Sequence, residues 1–577
     1  MVNRYNRCLP ERRSFMLEDT QIENMNQEAD QKASDNADAL LNNASNPLEE
    51  VAPAPRRNGA SERALRAAIE IFTRWENDQK NIPLDRIVSG EFRTRKYLNS
   101  TERRWVAEVI YNCARFWRRQ VFVLEALGRE ATAENVVRLW AEEEKFTKTT
   151  AENLGAERNN SDRADSNADL SNEAAIETTT KDIVSKDIVS KDISEASTRD
   201  KIQALLPAVE KTREYLRITL SFPDEMAAAL EATLGEEAIV AAHAFNMQAP
   251  TTLRVNPLRV SWAHLRKSLP EATPTIYSPW GLELPRRVNV FDMPGYRTGW
   301  FEVQEEASQL VSLLIDAQPG QAIAEIGAGA GGKTLAIAAL MENKGEVFAL
   351  DINKSRLEEL AKRAERAGVT CVQMCETTAD FEGTWQPSES VRRTVNKWRN
   401  RADAVLVDAP CTGSGVLRRS PDAKWRDFDL THMTRLQSTL LAQAATLLQP
   451  DGYLFYVSCA FERTQNEDIV EKFLKTEFGE QFEVVPAVPR LRAACARARY
   501  QAEMPPFMRT EKAQRKLAEQ ETRRAEAAIA TADVPIVTEI REPVDFDSLA
   551  SGPYLRTWPH RHGLDAFFAA CLHRKPV

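Results

Sequence analysis

Two cysteines, Cys411 and Cys459, stand where apolar, strand-like runs end. The first closes ADAVLVDAPC and the second closes GYLFYVSC. In an open parallel sheet, ligands bind beyond the carboxyl ends of the strands, so both thiols should face one crevice. A thiolate is a strong nucleophile once an electropositive site lowers its pKa, and it can add to an electron-poor ring. The commoner fate of a lone cysteine is that of a small buried hydrophobe, which we expect for Cys8, Cys113, Cys371, Cys375, Cys495 and Cys571.

A glycine-rich loop, GAGAGGKT, separates the strand run QAIAEI from a helical run. Glycines allow a tight turn and close approach to a ligand, and free N–H groups at a helix start favour anions. Taken literally, the string matches the P-loop pattern G-x-x-x-x-G-K-T, and Asp408 resembles the acid that holds magnesium there. A P-loop NTPase is therefore one interpretation of the sequence.

The other interpretation is a nucleoside-binding loop of the Rossmann kind. In that arrangement an acid at the end of the next strand binds the ribose hydroxyls. Asp351, which closes GEVFALD, has the required position. A strand-end aspartate can instead cap the following helix, here the one that starts near Lys354.

The elements around these residues alternate between strand and helix from about Gln321 onward. The runs QAIAEI, GEVFALD, VTCVQM, ADAVLVD and GYLFYVSC are apolar, and helical periodicity follows most of them. This alternation predicts an α/β fold with a doubly wound, mostly parallel sheet.

The 577 residues allow several domains. We predict a disordered tail over 1–60, a helical domain over 61–145, a low-complexity linker over 146–200 that contains KDIVSKDIVSKDIS, and a helical linker with a small α+β module over 201–320. The sheet domain takes 321–577, with a charged insertion at about 503–532. IQALLPAVEKTREYLRITL, within 201–320, is predicted to be helical.

Composition excludes several classes of protein. Hydrophobic residues are 43% and charged residues 28%, which is typical of globular domains, and the net charge of −9 excludes a polycation. The first residues, MVNRYNRCLPERRSFMLEDT, lack the apolar core of a signal peptide, and no apolar run reaches about 18 residues. The cysteines show no zinc-like spacing. We expect a cytoplasmic monomer with reduced thiols, no metal and no membrane contact.

As a set, the motifs resemble the RsmB/NOP (Sun- or Fmu-like) family of RNA (cytosine-5) methyltransferases. The resemblance runs from about Leu253 to the end and includes LRVNPL, GWFEVQEEASQL, GAGAGGKT, DAPCTGSGVLRRSPDAKWR, YVSCAFERTQNED and HGLDAFFAA. It implies a Rossmann-like class I methyltransferase domain that uses S-adenosylmethionine. A weaker resemblance, on helical pattern and RTRKYLNSTERRWVAEVIY, is to the NusB-like RNA-binding domain of some bacterial members.

The resemblance also implies roles for the reactive residues. Cytosine C5 is a poor nucleophile, and a thiolate added at C6 would make it able to attack a sulfonium methyl group. Cys459 is then the nucleophile, and Cys411 helps to remove the C5 proton and release the enzyme. Asp408 would hold or protonate the N3 side of the base.

The implied cofactor site comprises the loop, two acids and the same Asp408. Asp351 would bind the ribose hydroxyls, and Glu376, with Asp380 as the alternative, would lie near the adenine. The loop residues are Gly327, Ala328, Gly329, Ala330, Gly331, Gly332 and Lys333. Four departures from the family pattern remove no reacting group: the Gly327–Ala330 start of the loop, Glu325, Ser458 and Ala566.

The resemblance implies an RNA partner, most simply ribosomal RNA, and local basic clusters that offset the acidic total are where it would bind. One lies in the helical domain: Arg93, Arg95, Lys96, Arg103, Arg104, Arg115, Arg118 and Arg119, interleaved with Tyr97, Trp105, Tyr111 and Trp117. Solvated helix faces explain this cluster equally well. For a second cluster, Arg418 to Arg426, we expect RNA contact because it follows the DAPC motif. A catalytically inactive RNA-binding assembly factor is a further alternative, against which the intact cysteine pair argues.

Overall fold

A computed structural model describes residues 61–78, 82–143, 198–286, 288–377, 393, 395–508 and 544–576. The predicted tail, most of the predicted linker, residues 509–532 of the predicted insertion and Asp380 lie outside these residues. A helix begins at Thr198. The predicted linker boundary at 200 is therefore slightly too late.

The segment from Ser61 to residue 143 is helical, as predicted. Its helices are α1 (Glu62–Asn77), α2 (Leu84–Thr94), α3 (Ser100–Arg115), α4 (Trp117–Ala126) and α5 (133–143). The Ser61 side chain caps α1, and Asn99 and Glu102 form a reciprocal capping box that starts α3. Phe72, Trp75 and Ile110 are fully buried between these helices. The segment thus has a hydrophobic core of its own, while its NusB-like character stays a prediction.

The predicted helical segment over 202–220 is helical only in part, because the chain breaks it. Helix α6 (Thr198–Leu205) ends two residues before Pro207, which cannot donate a helical hydrogen bond. A short turn (Thr212–Glu214) and a π-helical turn (Tyr215–Thr219) follow. The next helices are α7 (Asp224–Leu234) and α8 (Ala238–Asn246).

A small antiparallel sheet comes next, in the order β2-β3-β1-β4. Its strands are β1 (Thr251–Val255), β2 (Thr273–Pro274), β3 (Gly281–Leu284) and β4 (Phe301–Val303), with helix α9 (Trp262–Ser268) after β1. Leu253, Trp280 and Phe301 are buried in the same core as residues of the large sheet. The small sheet is thus packed onto the larger domain.

The large sheet has nine strands in the order β11-β12-β13-β9-β8-β5-β6-β7, with β10 beside β13. The parallel strands are β5 (Ala322–Ile326), β6 (Glu346–Asp351), β7 (Val372–Glu376), β8 (Ala402–Asp408) and β9 (Leu448–Ser458). Strands β10 (Phe482–Val485), β11 (Ala550–Ser551), β12 (Tyr554–Arg556) and β13 (Phe568–Arg574) are antiparallel to their neighbours. The sheet is therefore mixed, and the strand order reverses between β5 and β8.

Helices cover both faces of this sheet, as the period-two alternation of its strands requires. Leu406 and Phe455 face one core with Leu310 and Leu491, whereas their strand neighbours face another with Leu441 and Ile469. The helices are α10 (Glu306–Leu314), α11 (Gly332–Leu340), α12 (Lys354–Ala367), α13 (Leu430–Ala445), α14 (Glu467–Leu474) and α15 (Ala487–Glu503). None of the helices in the described ranges is long and apolar enough to span a bilayer.

Candidate active site

Strand register brings the glycine loop, Asp351 and Asp408 to one edge of the sheet. Ile326 pairs with Leu350 on one side and with Val407 on the other, so the residues that follow these three are neighbours. Gly327 has a positive φ of 82°, and a Cβ atom there would clash with the carbonyl oxygen of Asp408. Only glycine allows the loop to leave the sheet this closely.

Asp351 is 8% exposed and holds the glycine loop directly. Its Oδ2 accepts a hydrogen bond from the Gly329 amide (2.8 Å), and its Oδ1 accepts one from the Asn353 amide (2.7 Å). The cap of helix α12 is Asn353, whose side chain accepts from Arg356 N. The helix-cap alternative for Asp351 is therefore wrong, and its carboxylate stays at the loop.

The loop and its acid suit a ribose better than a triphosphate. The Asp351 carboxylate accepts a hydrogen bond from a loop amide that a P-loop would direct at phosphate. Its negative charge would also repel a phosphate. Ile352, next in the chain, is 61% exposed and offers an apolar face beside the carboxylate. Glu376, exposed at the end of β7, pairs in register with Asp351. These residues fit the nucleoside of S-adenosylmethionine.

Lys333 does not point freely into the loop but pairs with Asp408. Its Nζ lies 2.7 Å from Asp408 Oδ2 and 5.6 Å from the centre of the Phe567 ring. Burial opposes the charged form of Lys333, yet the neighbouring Asp408 carboxylate leaves its pKa above the ordinary value. The ammonium therefore stays charged, and it also favours the thiolate of Cys459.

Cys411 and Cys459 are brought together, with their sulfur atoms 3.4 Å apart. Both are partly exposed and neither is in a disulfide. The hydrogen bond from Cys459 lowers the pKa of Cys411, whereas donating that bond and burial raise the pKa of Cys459 well above its usual value. The two thiols thus favour a state in which they share one proton, which Cys459 carries. Of the other cysteines, Cys113, Cys495 and Cys571 are buried as predicted, Cys371 and Cys375 are only half-buried, and Cys8 lies outside the described residues.

Sequence reasoning missed the residues that hold the Cys411 loop. The Glu462 carboxylate accepts from Ser414 Oγ (2.6 Å) and Gln465 Nε2 (2.9 Å), and Gln465 Oε1 accepts from the Thr412 amide (3.1 Å). Gln437, on α13, donates to the carbonyl oxygen of Pro410 (2.8 Å). The polar run ERTQNED after Cys459 was a usable signal for the first two, but nothing in the sequence around Gln437 marks it.

A second missed group supports the glycine loop from behind. Arg363 donates to the Ala330 carbonyl oxygen (2.7 Å) and pairs with Glu302 (2.9 Å), which is 2% exposed. Arg254 donates to the Gly332 carbonyl oxygen (2.5 Å). Two charged side chains thus fix the loop through its carbonyl groups.

Glu325 lies under the loop, fully buried, and accepts a hydrogen bond from Thr334. Burial raises its pKa from 4.5 to about 8. The folded protein therefore keeps a proton that the unfolded chain releases above about pH 4.5, and stability falls as the pH rises from there to about 8. We expect Glu325→Gln to raise the thermal midpoint by about 3 °C or more at pH 8.5 and much less at pH 5.

Differential scanning fluorimetry at both pH values measures this effect. Glu358→Gln, an exposed change on α12, is the matched control and should shift neither midpoint. Parallel midpoint-against-pH curves for wild type and Glu325→Gln would contradict a buried, protonated Glu325.

The predicted RNA contact of the Arg418–Arg426 segment is wrong for most of its charges. Lys424 is 3% exposed, and its Nζ donates to carbonyl oxygens of Arg115, Leu220 and Ser221 (3.1–3.3 Å) and to Asn246 Oδ1 (2.7 Å). The other pairs are Trp425 with the Ala114 carbonyl oxygen, Arg426 with Asp422, and Arg419 with Asp565. The segment docks the helical domain onto the sheet domain, which its composition does not reveal.

This docking predicts a stability effect. Lys424→Met keeps the volume but removes the ammonium that donates to three buried carbonyl oxygens and to Asn246, so we expect the thermal midpoint to fall by about 5 °C. Lys472→Met, at an exposed position of α14, should leave the midpoint within about 1 °C. Unchanged stability in Lys424→Met would mean that the lysine does not join the domains.

The charges of the cluster in the helical domain are also largely paired, within that domain or with Asp224 of α7. Arg95 binds Glu70 and Glu91, Arg118 binds Asp224, and Arg119 binds Glu143. Arg103 donates to carbonyl oxygens, and Arg115 is buried. The members that remain exposed are Arg93, Lys96, Arg104 and Tyr97.

The sheet is mixed, and its strand order reverses between β5 and β8. Together with the loop and acid at that edge, this defines a Rossmann-like methyltransferase fold. The crystal structure of PH0851 shares the fold, with a TM-score of 0.57 and 21% identity over 88% of this chain and 98% of that one. Residues 312–573 match the family model described as 16S rRNA methyltransferase RsmB/F. Over these residues the chain is therefore similar to the RsmB/F methyltransferases.

Curated relatives agree with this similarity. A probable ribosomal RNA small subunit methyltransferase B of Synechocystis is 34% identical over 44% of this chain and 56% of its own length. Ribosomal RNA small subunit methyltransferase B of Yersinia enterocolitica is 30% identical over 48% of this chain and 62% of its own length. The chain thus spans less than two thirds of each of these relatives.

Proposed function

We propose that this protein transfers a methyl group from S-adenosyl-L-methionine to C5 of a cytosine in RNA, through a covalent bond to Cys459. The observation that carries the proposal is the cysteine pair, 3.4 Å apart, at the strand edge that also holds Lys333 and Asp408. A P-loop NTPase needs neither thiol. An inactive binding protein would have no use for two apposed thiols beside a buried ammonium.

S-adenosyl-L-methionine is the cofactor, and bound at this edge it supplies an electrophilic methyl group. Asp351 would hold its ribose hydroxyls, Ile352 would pack on its adenine, and Glu376 lies on the adjacent strand. The loop Gly327–Lys333 leaves room for a ligand because four of its residues have no side chain.

The first protein step is attack by Cys459. Its sulfur forms a bond to C6 of the ring as the S–H proton passes to Cys411, whose pKa is lowered by the same hydrogen bond. The electron pair of the C5–C6 double bond moves toward the N3 side and makes C5 nucleophilic. Asp408, paired with Lys333, stands at this edge to hold the N3 and N4 side of the base.

The last step restores the aromatic ring. After C5 carries the methyl group, Cys411 as thiolate takes the C5 proton, the C5–C6 double bond re-forms, and the bond from C6 to Cys459 breaks. Cys411 must first lose to solvent the proton that it accepted earlier, and its partial exposure allows this. The two thiols therefore alternate as proton carriers.

The relatives' names point to RNA of the small ribosomal subunit as the substrate class. A cytosine inside a helix must be extruded before C5 and C6 are accessible, so an unpaired or locally opened segment is the target. Arg93, Lys96, Arg104 and Tyr97 are the exposed residues of the helical domain that can bind its backbone and stack on a base.

The test uses tritiated S-adenosylmethionine and 16S rRNA transcribed in vitro. Label should appear in 5-methylcytosine after nuclease digestion, at a single position when the RNA is mapped. Label in another nucleoside would refute the C5 assignment, and ATP hydrolysis without any methyl transfer would support the P-loop alternative.

A further inference from the structure

A cavity of about 460 Å³ lies between the small sheet and the segment that follows Cys411. Its walls include Pro250 and Leu284, which are apolar, and Gln248, Glu283, Arg286 and Arg418, which are polar or charged. The volume is that of a site for a small organic group. The cavity is distinct from the strand edge that holds the two thiols.

Arg418 is the buried charged group of this cavity, with 9% exposure. Its Nη1 donates to the Gly563 carbonyl oxygen (2.5 Å), whereas its Nε is buried and has no partner within the ranges that the structure describes. The guanidinium group places a positive charge and N–H donors in the cavity wall, so the site favours a ligand with acceptor atoms.

Short connections join the cavity to the reacting sulfur atoms. The Gly415 amide donates to the Cys459 carbonyl oxygen (2.9 Å), and the Gly415 carbonyl oxygen accepts from the Ala566 amide (2.9 Å). A side chain at Gly415 would clash with both partners. Arg418 follows Gly415 by one turn of chain, and Arg419 donates to the carbonyl oxygen of Pro250 in the cavity wall (2.9 Å). Hydrogen bonds therefore tie the wall of the cavity to the chain at Cys459.

The mixture of groups selects a base over a phosphate. Arg286 and Arg418 would attract a phosphate, but the Glu283 carboxylate in the same cavity would repel it. A base presents acceptors to the guanidinium groups, a donor to Glu283 and flat apolar faces to Pro250 and Leu284. We propose that this cavity binds a nucleobase of single-stranded RNA that flanks the target cytosine, which rests on the proposed function.

The test measures binding of the full-length protein to a nine-nucleotide RNA with the mapped cytosine at its centre. Each flanking base is removed in turn to leave an abasic ribose, and Kd is measured by fluorescence anisotropy. If no cytosine is methylated, the nonamer is taken from the rRNA segment that the protein protects from hydroxyl radicals. We expect loss of one flanking base to weaken binding about tenfold.

Variants link that loss to the cavity. Arg286→Ala, Glu283→Gln and Arg418→Gln should each weaken binding of the intact RNA by about fivefold to tenfold. When the RNA lacks the sensitive base, the same variants should weaken its binding little further. Arg297→Ala is the control, because the side chains of Arg286 and Arg297 are both 72% exposed and belong to the same small module. Thermal midpoints show whether Arg418→Gln folds, and the two exposed changes carry the test if it does not.

Three results would overturn the proposal. The first is a Kd that changes less than twofold for every abasic RNA. The second is that the variants weaken binding of abasic and intact RNAs equally, as loss of a phosphate contact would. The third is absence of RNA binding. Base-dependent binding that the cavity variants abolish, without methyl transfer, would support the cavity and count against the proposed reaction.

Discussion

Cys459→Ala is expected to reduce methyl transfer at least about 10⁴-fold, because the variant lacks the atom that bonds to C6. The thiol is partly exposed and its hydrogen bond is to Cys411, so the thermal midpoint should stay within about 2 °C of wild type. Binding of S-adenosylmethionine, measured by calorimetry, should be unchanged within about threefold, since Asp351 and the loop are untouched. Transfer of tritium to 16S rRNA under single-turnover conditions measures the loss.

Cys495→Ala is the matched control, because Cys495 is a buried thiol on α15. It should keep wild-type methyl transfer, apart from any loss of folded protein. Methyl transfer by Cys459→Ala above about one hundredth of the wild-type rate would show that this thiol is not the nucleophile.

Cys411→Ala is expected to trap the protein on its RNA. Without Cys411, the hydrogen bond that most raises the pKa of Cys459 is gone, so Cys459 can lose its proton to solvent and still attack. Methyl transfer can then follow, but no thiolate stands 3.4 Å away to take the C5 proton, so release slows by about 10²-fold to 10⁴-fold. The covalent complex should accumulate as a band that survives heating in denaturant. It should carry one labelled methyl group per bound RNA, and mass spectrometry of the digest should locate the bond at Cys459.

The double variant Cys411→Ala, Cys459→Ala is the control and should give no stable band. The hydrogen bond lowers the pKa of Cys411 and raises that of Cys459, so the reverse assignment of roles has a specific signature. If Cys411 attacks C6, the covalent band appears in Cys459→Ala and is absent from Cys411→Ala. That result would exchange the two roles while keeping the reaction.

Local sequence patterns were enough to predict the strands and helices that carry the site. Apolar runs of strand length with helical runs between them predict a doubly wound sheet, and such a sheet gathers strand ends at one edge. Asp351, Asp408, Cys411 and Cys459 each end or directly follow a strand, so their meeting could be expected. The pattern did not show that the far side of the sheet is antiparallel, because an edge strand reads like any other apolar run.

Tertiary structure alone decided which charges are available. Arg418, Lys424 and Arg426 look like an exposed basic run, yet distant parts of the chain bury the first two, and Asp422, four residues away, pairs with the third. The bonds of Lys424 to Leu220 and Asn246 span 204 and 178 residues. Lys333 likewise pairs with Asp408, 75 residues away, rather than with a group of the loop in which it lies. Sequence spacing governs what adjacent residues can form, but burial and pairing depend on which distant surfaces pack together, and no local pattern encodes that packing.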